Sequence, residues 1–113
     1  MIQVDYFMSH GSPWTFLGHK RLGEIIKKYK VKLNMRPVNY GEIFPISGGL
    51  PVSKRPVQRQ KIRLQELKRW SKFLDINLIS QPTSFPSKSM LPSLLIIASQ
   101  MMKTNKDFEL AHN

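Results

Sequence analysis

The sequence predicts an α/β chain that opens as a strand–helix–strand unit and continues as helices, and three observations carry that prediction. An apolar run at Ile2–Met8 stops before a turn at Gly11, a helix start at Ser12-Pro13 follows, and 31–38 then alternates between apolar and polar residues. Strand, helix and strand of these lengths form a right-handed unit with parallel strands. Two strands cannot stand alone as a sheet, so more chain or a partner is expected to supply others.

Taken in order, Ile2–Met8 is apolar on both alternations except at Gln3 and Asp5, which predicts a central strand covered on both faces with Asp5 partly buried. Ser12 has N-cap chemistry, and Pro13 suits the first helical position, where its missing N–H goes unused. The helix carries Gly18, Leu22, Ile25, Ile26 and Tyr29 as one apolar stripe, with Gly18 allowing close approach to a sheet. Lys28-Tyr29-Lys30 ends it with cations at the negative end of the dipole. In the next strand Val31, Leu33, Met35 and Pro37 share one face and Lys32, Asn34 and Arg36 the other, so one face is wet. Pro37 cannot donate to a ladder and predicts an edge position.

From Asn39 the texture changes. NYGEIFPISGGLPVSKRP reads as a long loop with one short helical turn at Gly41–Phe44, and long ordered loops in compact domains are usually functional. A helix from Lys54 or Pro56 to about Leu74 then places Val57, Leu64, Leu67, Trp70 and Leu74 inward, with Lys54, Lys61, Gln65, Lys68 and Lys72 outward. A further helix over about 87–102 has Met90, Leu94, Ile97 and Met101 as its inner stripe, and TNKDFELAHN starts another. The expected organisation is a βαβ unit over 1–38 followed by helices over 39–113.

A chain of 113 residues is one domain, large enough for a real core. Its 18 basic and 7 acidic residues leave a net charge of +11, which signals attraction to polyanions, anionic substrates or acidic partners. Cysteine is absent, which excludes disulfide staples, thiolate metal sites and thiol redox chemistry by the chain's own residues. No signal-peptide pattern opens the sequence and no apolar run is long enough to span a bilayer, so a cytoplasmic protein without a membrane partner is expected.

Ser12 is the candidate catalytic residue. At the positive end of a helix, unpaired N–H groups and the dipole stabilise a nearby thiolate, carboxylate or phosphate; the competing reading is a serine that only caps. His10 lacks a third group at triad spacing and reads as a loop residue, and His19 and His112 have no partners at metal spacing, so no metal site is expected. Trp14, Phe16, Trp70 and Phe73 read as core or pocket wall. Lys54 and Arg55 follow SGGLPVS at a helix mouth, where cations oppose the dipole; either an anion compensates them or they form a solvated basic face.

The words VDYFMSHGSPWTFLGHKRL, RPVNYGEIF, SGGLPVSKRPVQRQKIRLQELKRW and FP occur in that order, and over Val4 to about Gln100 the chain resembles the 2-hydroxychromene-2-carboxylate isomerase family. That family lies in the DsbA-like, kappa-class glutathione transferase branch of the thioredoxin superfamily. The resemblance implies the N-terminal βαβ half of a thioredoxin-like fold followed by an all-helical insertion, incomplete at 39–113, with the final strands and helix of the fold missing. It implies glutathione as cofactor, held by Ser12, Pro13 and Trp14, with Ser12 in place of the first cysteine of a redox C-x-x-C. It also implies that Lys54, Arg55 and Phe85 meet an aromatic carboxylate substrate, which isomerises by reversible thiolate addition. Family members are longer and complete the cofactor site with a cis-proline loop, so a chain ending at Asn113 is expected to lack half of that site and to be inactive alone.

Two alternatives stand beside this reading. A kappa-type glutathione transferase shares the scaffold, with the sulfur staying on its electrophile. A basic helical module binding nucleic acid or another polyanion draws on the net charge and the Lys and Arg density of 54–72, yet no nucleic-acid motif is present and nucleic acid is not the expected partner. A homodimer is left open.

Overall fold

The computed structural model describes residues 1–84 and 88–112. Its elements are β1 (Gln3–Met8), α1 (Pro13–Tyr29), β2 (Lys32–Pro37), α2 (Tyr40–Ser47), a 3₁₀ turn (Val52–Lys54), α3 (Val57–Leu74), α4 (Met90–Met101) and α5 (Asp107–Leu110). This is a mixed α/β chain that opens with a βαβ unit and continues as helices. Two compact units form, one from Met1–Val38 with Pro86–Asn113 and one from Asn39–Phe85. No helix among the described residues is long and apolar enough to cross a membrane.

In the first unit β1 and β2 pair in parallel, with Val4 opposite Leu33, Tyr6 opposite Met35 and Met8 opposite Pro37. That face carries the core: Met8, Met35 and Ile96 of α4 are buried together, and Tyr6, Leu33, Phe108, Leu110 and Ala111 pack around them. Gln100 of α4 donates from Nε2 to the Met35 carbonyl at 2.9 Å and to Asp107 at 3.0 Å, pinning α4 to both β2 and α5.

The opposite face corrects the expectation of a strand covered on both sides. Phe7 is 65% exposed, and Asp5, expected to be partly buried, is exposed and takes hydrogen bonds from Arg36 Nε at 3.3 Å and Asn34 Nδ2 at 3.1 Å. The register explains it, since Asp5 lies opposite Asn34 and Phe7 opposite Arg36, so β2 lends this face only polar partners.

Two helix faces also differ from expectation. On α1 the buried side chains are Leu17 and His19, while Ile25, Tyr29 and Gly18 are exposed. The close approach expected at Gly18 occurs at Gly23, where a Cβ would stand 3.1 Å from the Phe108 ring; nothing lies within 4 Å of one at Gly18. On α4 the expected inner residues Met90, Leu94, Ile97 and Met101 are exposed, and Ile96 and Ser99 are buried instead. An apolar residue sits at nearly every turn of this helix, so periodicity does not select a face; Ile96 fits between Met8 and Met35, and Gln100 finds its acceptor.

In the second unit, the single turn expected at Gly41–Phe44 is the two-turn helix α2. Asn39 caps it, accepting from the Gly41 N–H at 3.0 Å, and Gly48 ends it with φ 81°, a left-handed conformation that glycine adopts without strain. Leu67 is the buried residue of α3. Trp70 and Phe73, read as core or pocket wall, are 46% and 71% exposed and touch edge to face. Leucines at 64 and 74 cover the inner side without them, each half-buried.

Candidate active site

Ser12 is the N-cap of α1, and the first turn is built as the sequence predicts. Its hydroxyl oxygen accepts from the Thr15 N–H at 3.4 Å, its carbonyl from the Phe16 N–H at 3.2 Å, and Pro13 follows in the first helical position. The preceding turn is fixed by Ser9, whose carbonyl accepts from the Ser12 N–H at 3.1 Å and whose Oγ accepts from the Gly11 N–H at 3.3 Å. No described hydrogen bond uses the Ser12 hydroxyl hydrogen or the Trp14 N–H. Both point the chemistry of the site toward an acceptor or an anion.

The half-buried Ser12 lines an open pocket of about 640 Å³, together with His10, Thr15, Phe16, His19, Leu91, Pro92, Leu95, Leu110, Ala111 and His112. No Asp, Glu, Lys or Arg is among these residues. The wall is largely aromatic and aliphatic, with polarity confined to two hydroxyls and three imidazoles.

The histidines are what sequence reasoning missed. Spaced along the chain without a metal or triad pattern, all three line this pocket. Phe16, His112, His19 and Phe108 form a continuous stack, with centroid separations of 5.5, 4.8 and 3.9 Å, that interleaves α1 with the residues of and after α5. His19 is 6% exposed. Burial pushes its pKa below the usual imidazole value, the nearby His112 adds to the effect, and a hydrogen bond with the Phe108 backbone opposes it. His10 is also pushed down by burial, and both its ring nitrogens are covered without a hydrogen-bond partner among the described residues. Unpartnered buried polar atoms of this kind cost about 1–3 kcal/mol each. Only the proximity of His10 to Ser12 in sequence could have signalled any of this.

A consequence follows for acid stability. The unfolded chain binds protons to these imidazoles near pH 6.5, while the folded chain resists them to lower pH. Stability is therefore complete above that value and falls as pH drops below it, by at most about 1.4 kcal/mol per pH unit for each such histidine. Denaturant titrations at neutral and mildly acid pH will show this slope, and His19→Phe, which keeps a ring in the stack, will reduce it.

Of the other predicted residues, Pro13 is half-buried and Trp14 is 39% exposed, and neither side chain lines the pocket. Lys54 and Arg55 belong to the second unit. Lys54 is exposed at the end of the 3₁₀ turn. Arg55 Nε donates to the Leu50 carbonyl at 2.9 Å and its own carbonyl accepts from Gln60 Nε2 at 2.8 Å, so this arginine ties the SGGLP loop to α3. Phe85 lies outside the described residues. No group of three or more His, Cys, Asp or Glu residues that could hold a metal occurs among the described residues.

The family model for the DSBA-like thioredoxin domain matches residues 3–113. No curated protein and no solved structure matches.

Proposed function

We propose, from the premise that the chain belongs to the DSBA-like thioredoxin domain family, that it works with glutathione as an isomerase of the 2-hydroxychromene-2-carboxylate type. The family carries thiol-related redox, transferase and isomerase functions. A sequence without cysteine supplies no thiol of its own, so the sulfur comes from a small-molecule thiol. The observation that supports this reading is the uncommitted Ser12 hydroxyl hydrogen, at a helix N-terminus, lining a mostly apolar pocket.

The residues present suit the thiol end of glutathione: an acid-free pocket and an open hydroxyl donor. When bound, glutathione would supply a thiolate that adds reversibly to a conjugated position, leaving a single bond that rotates before elimination. Ser12 Oγ–H donates to the sulfur, and the Trp14 N–H and the dipole of α1 favour its ionised form. Phe16, Leu91 and Leu95 would give it an apolar wall. For the substrate carboxylate the proposed cations are Lys54 and Arg55, the latter through its Nη groups because its Nε is engaged.

Incubation of the protein with a cis aromatic pyruvate tests the proposal. Where the chain carries the further strands and cis-proline loop that the resemblance implies, conversion to the trans isomer is expected only when glutathione is present, with glutathione recovered unchanged. A product that keeps the sulfur would assign a transferase instead, and no conversion under any thiol would overturn the isomerase.

A further inference from the structure

We infer that Phe16 is the platform of this pocket, the ring on which a planar conjugated group of the ligand stacks, one helical turn from Ser12. The inference assigns a specificity-determining residue, and it rests on the reading above only for the identity of that group, the ring of the aromatic pyruvate. Four rings lie nearly parallel in the order Phe16, His112, His19 and Phe108, with interplanar angles of 8°, 12° and 17°. One end of the stack is closed: Phe108 packs so near α1 that a Cβ at Gly23 would stand 3.1 Å from its ring, and His19 is buried beside it. The other end is open. Among the described residues Phe16 has one ring partner, His112, yet it is 37% exposed and lines the pocket.

The ring quadrupole favours offset-parallel or edge contacts with a further π system, and Phe16 already holds His112 in the parallel manner at 5.5 Å. The remaining wall suits the same guest. Leu91, Pro92 and Leu95 of α4 and Leu110 of α5 are apolar, and with no Asp, Glu, Lys or Arg in the lining a flat apolar group enters without desolvating a charged side chain. The helix sets the distance to the chemistry. The Phe16 N–H donates to the Ser12 carbonyl at 3.2 Å, so the two residues stand one turn apart, about 6 Å along the axis of α1, and both line the pocket. A ring on Phe16 therefore brings a short conjugated side chain to the Ser12 hydroxyl, whose hydrogen no described hydrogen bond uses. A saturated ring of the same size meets the same aliphatic wall but gains no stacking, so Phe16 distinguishes planar ligands from puckered ones.

Equilibrium binding of trans-cinnamate and of trans-3-cyclohexylacrylate, which share the double bond and the carboxylate, isolates the contact without thiol or turnover. The ratio of their dissociation constants in the wild-type protein, compared with the ratio in Phe16→Leu, removes the difference in hydrophobicity between the two ligands. The wild type is expected to favour cinnamate by roughly 2- to 10-fold more than Phe16→Leu does, the effect of one stacked pair, and Phe16→Trp to favour it at least as much as the wild type. The same ratio in wild type and Phe16→Leu would overturn the platform, as would a wild type that binds no cinnamate. Should Phe16→Leu fail to fold, NMR of the wild type decides: cinnamate is expected to move the Phe16 ring protons upfield and cyclohexylacrylate to leave them in place, and equal shifts would overturn the assignment. A changed ratio in a protein that shows no thiol-dependent conversion of the pyruvate would support the platform and overturn the glutathione reading alone; conversion with an unchanged ratio would do the reverse.

Discussion

Replacing Ser12 with alanine will lower glutathione-dependent turnover by roughly 30- to 1000-fold, the effect of losing one oriented donor worth ~2–4 kcal/mol in the transition state. Ser12 also caps α1 through the Thr15 N–H, so the same substitution will lower stability by about 1 kcal/mol. The two losses separate with Ser12→Asp, which keeps the capping acceptor but offers a negative charge where the thiolate belongs. It should melt like the wild type and yet fail to ionise bound glutathione. A thiol placed at the same helix start would be a low-pKa nucleophile, so Ser12→Cys offered oxidised glutathione should form a mixed disulfide, visible in the intact mass. Undiminished turnover in Ser12→Ala would remove this residue from the chemistry.

Ile96→Ala will destabilise the chain by about 2–5 kcal/mol, the range for deleting a large aliphatic side chain from a packed core. Ile96 is 1% exposed in the cluster with Met8 and Met35. Leu94→Ala, on the same helix at 54% exposure, should stay within about 0.5 kcal/mol of the wild type. Denaturant unfolding of the pair tests which face of α4 is inside. A reversed order of effects would restore the face of Met90, Leu94, Ile97 and Met101.

The βαβ unit was legible because its signals are local. Proline next to a serine sets the first turn of α1, and strict alternation assigns each residue of β2 to a face, so Val31, Leu33, Met35 and Pro37 all lie on the more covered side. Ser12 was legible for the same reason, since its cap bond reaches only three residues along the chain.

Other features depended on partners that are distant in sequence. Asp5 is exposed because β2 sets Asn34 and Arg36 against it, and a strand's own alternation carries no information about its neighbour's polarity. The face of α4 was decided by the gap between Met8 and Met35 and by a carbonyl that Gln100 could reach, because a helix apolar all round buries whichever side fits best. The three histidines share no spacing motif, and only the packing of α5 and its following residues against α1 brings His112 onto His19 and both into the pocket of Ser12. The sequence by itself determined where the Ser12-capped helix start lies; the tertiary structure decided which imidazoles surround it, since packing selects for shape across the whole chain and periodicity records only one turn at a time.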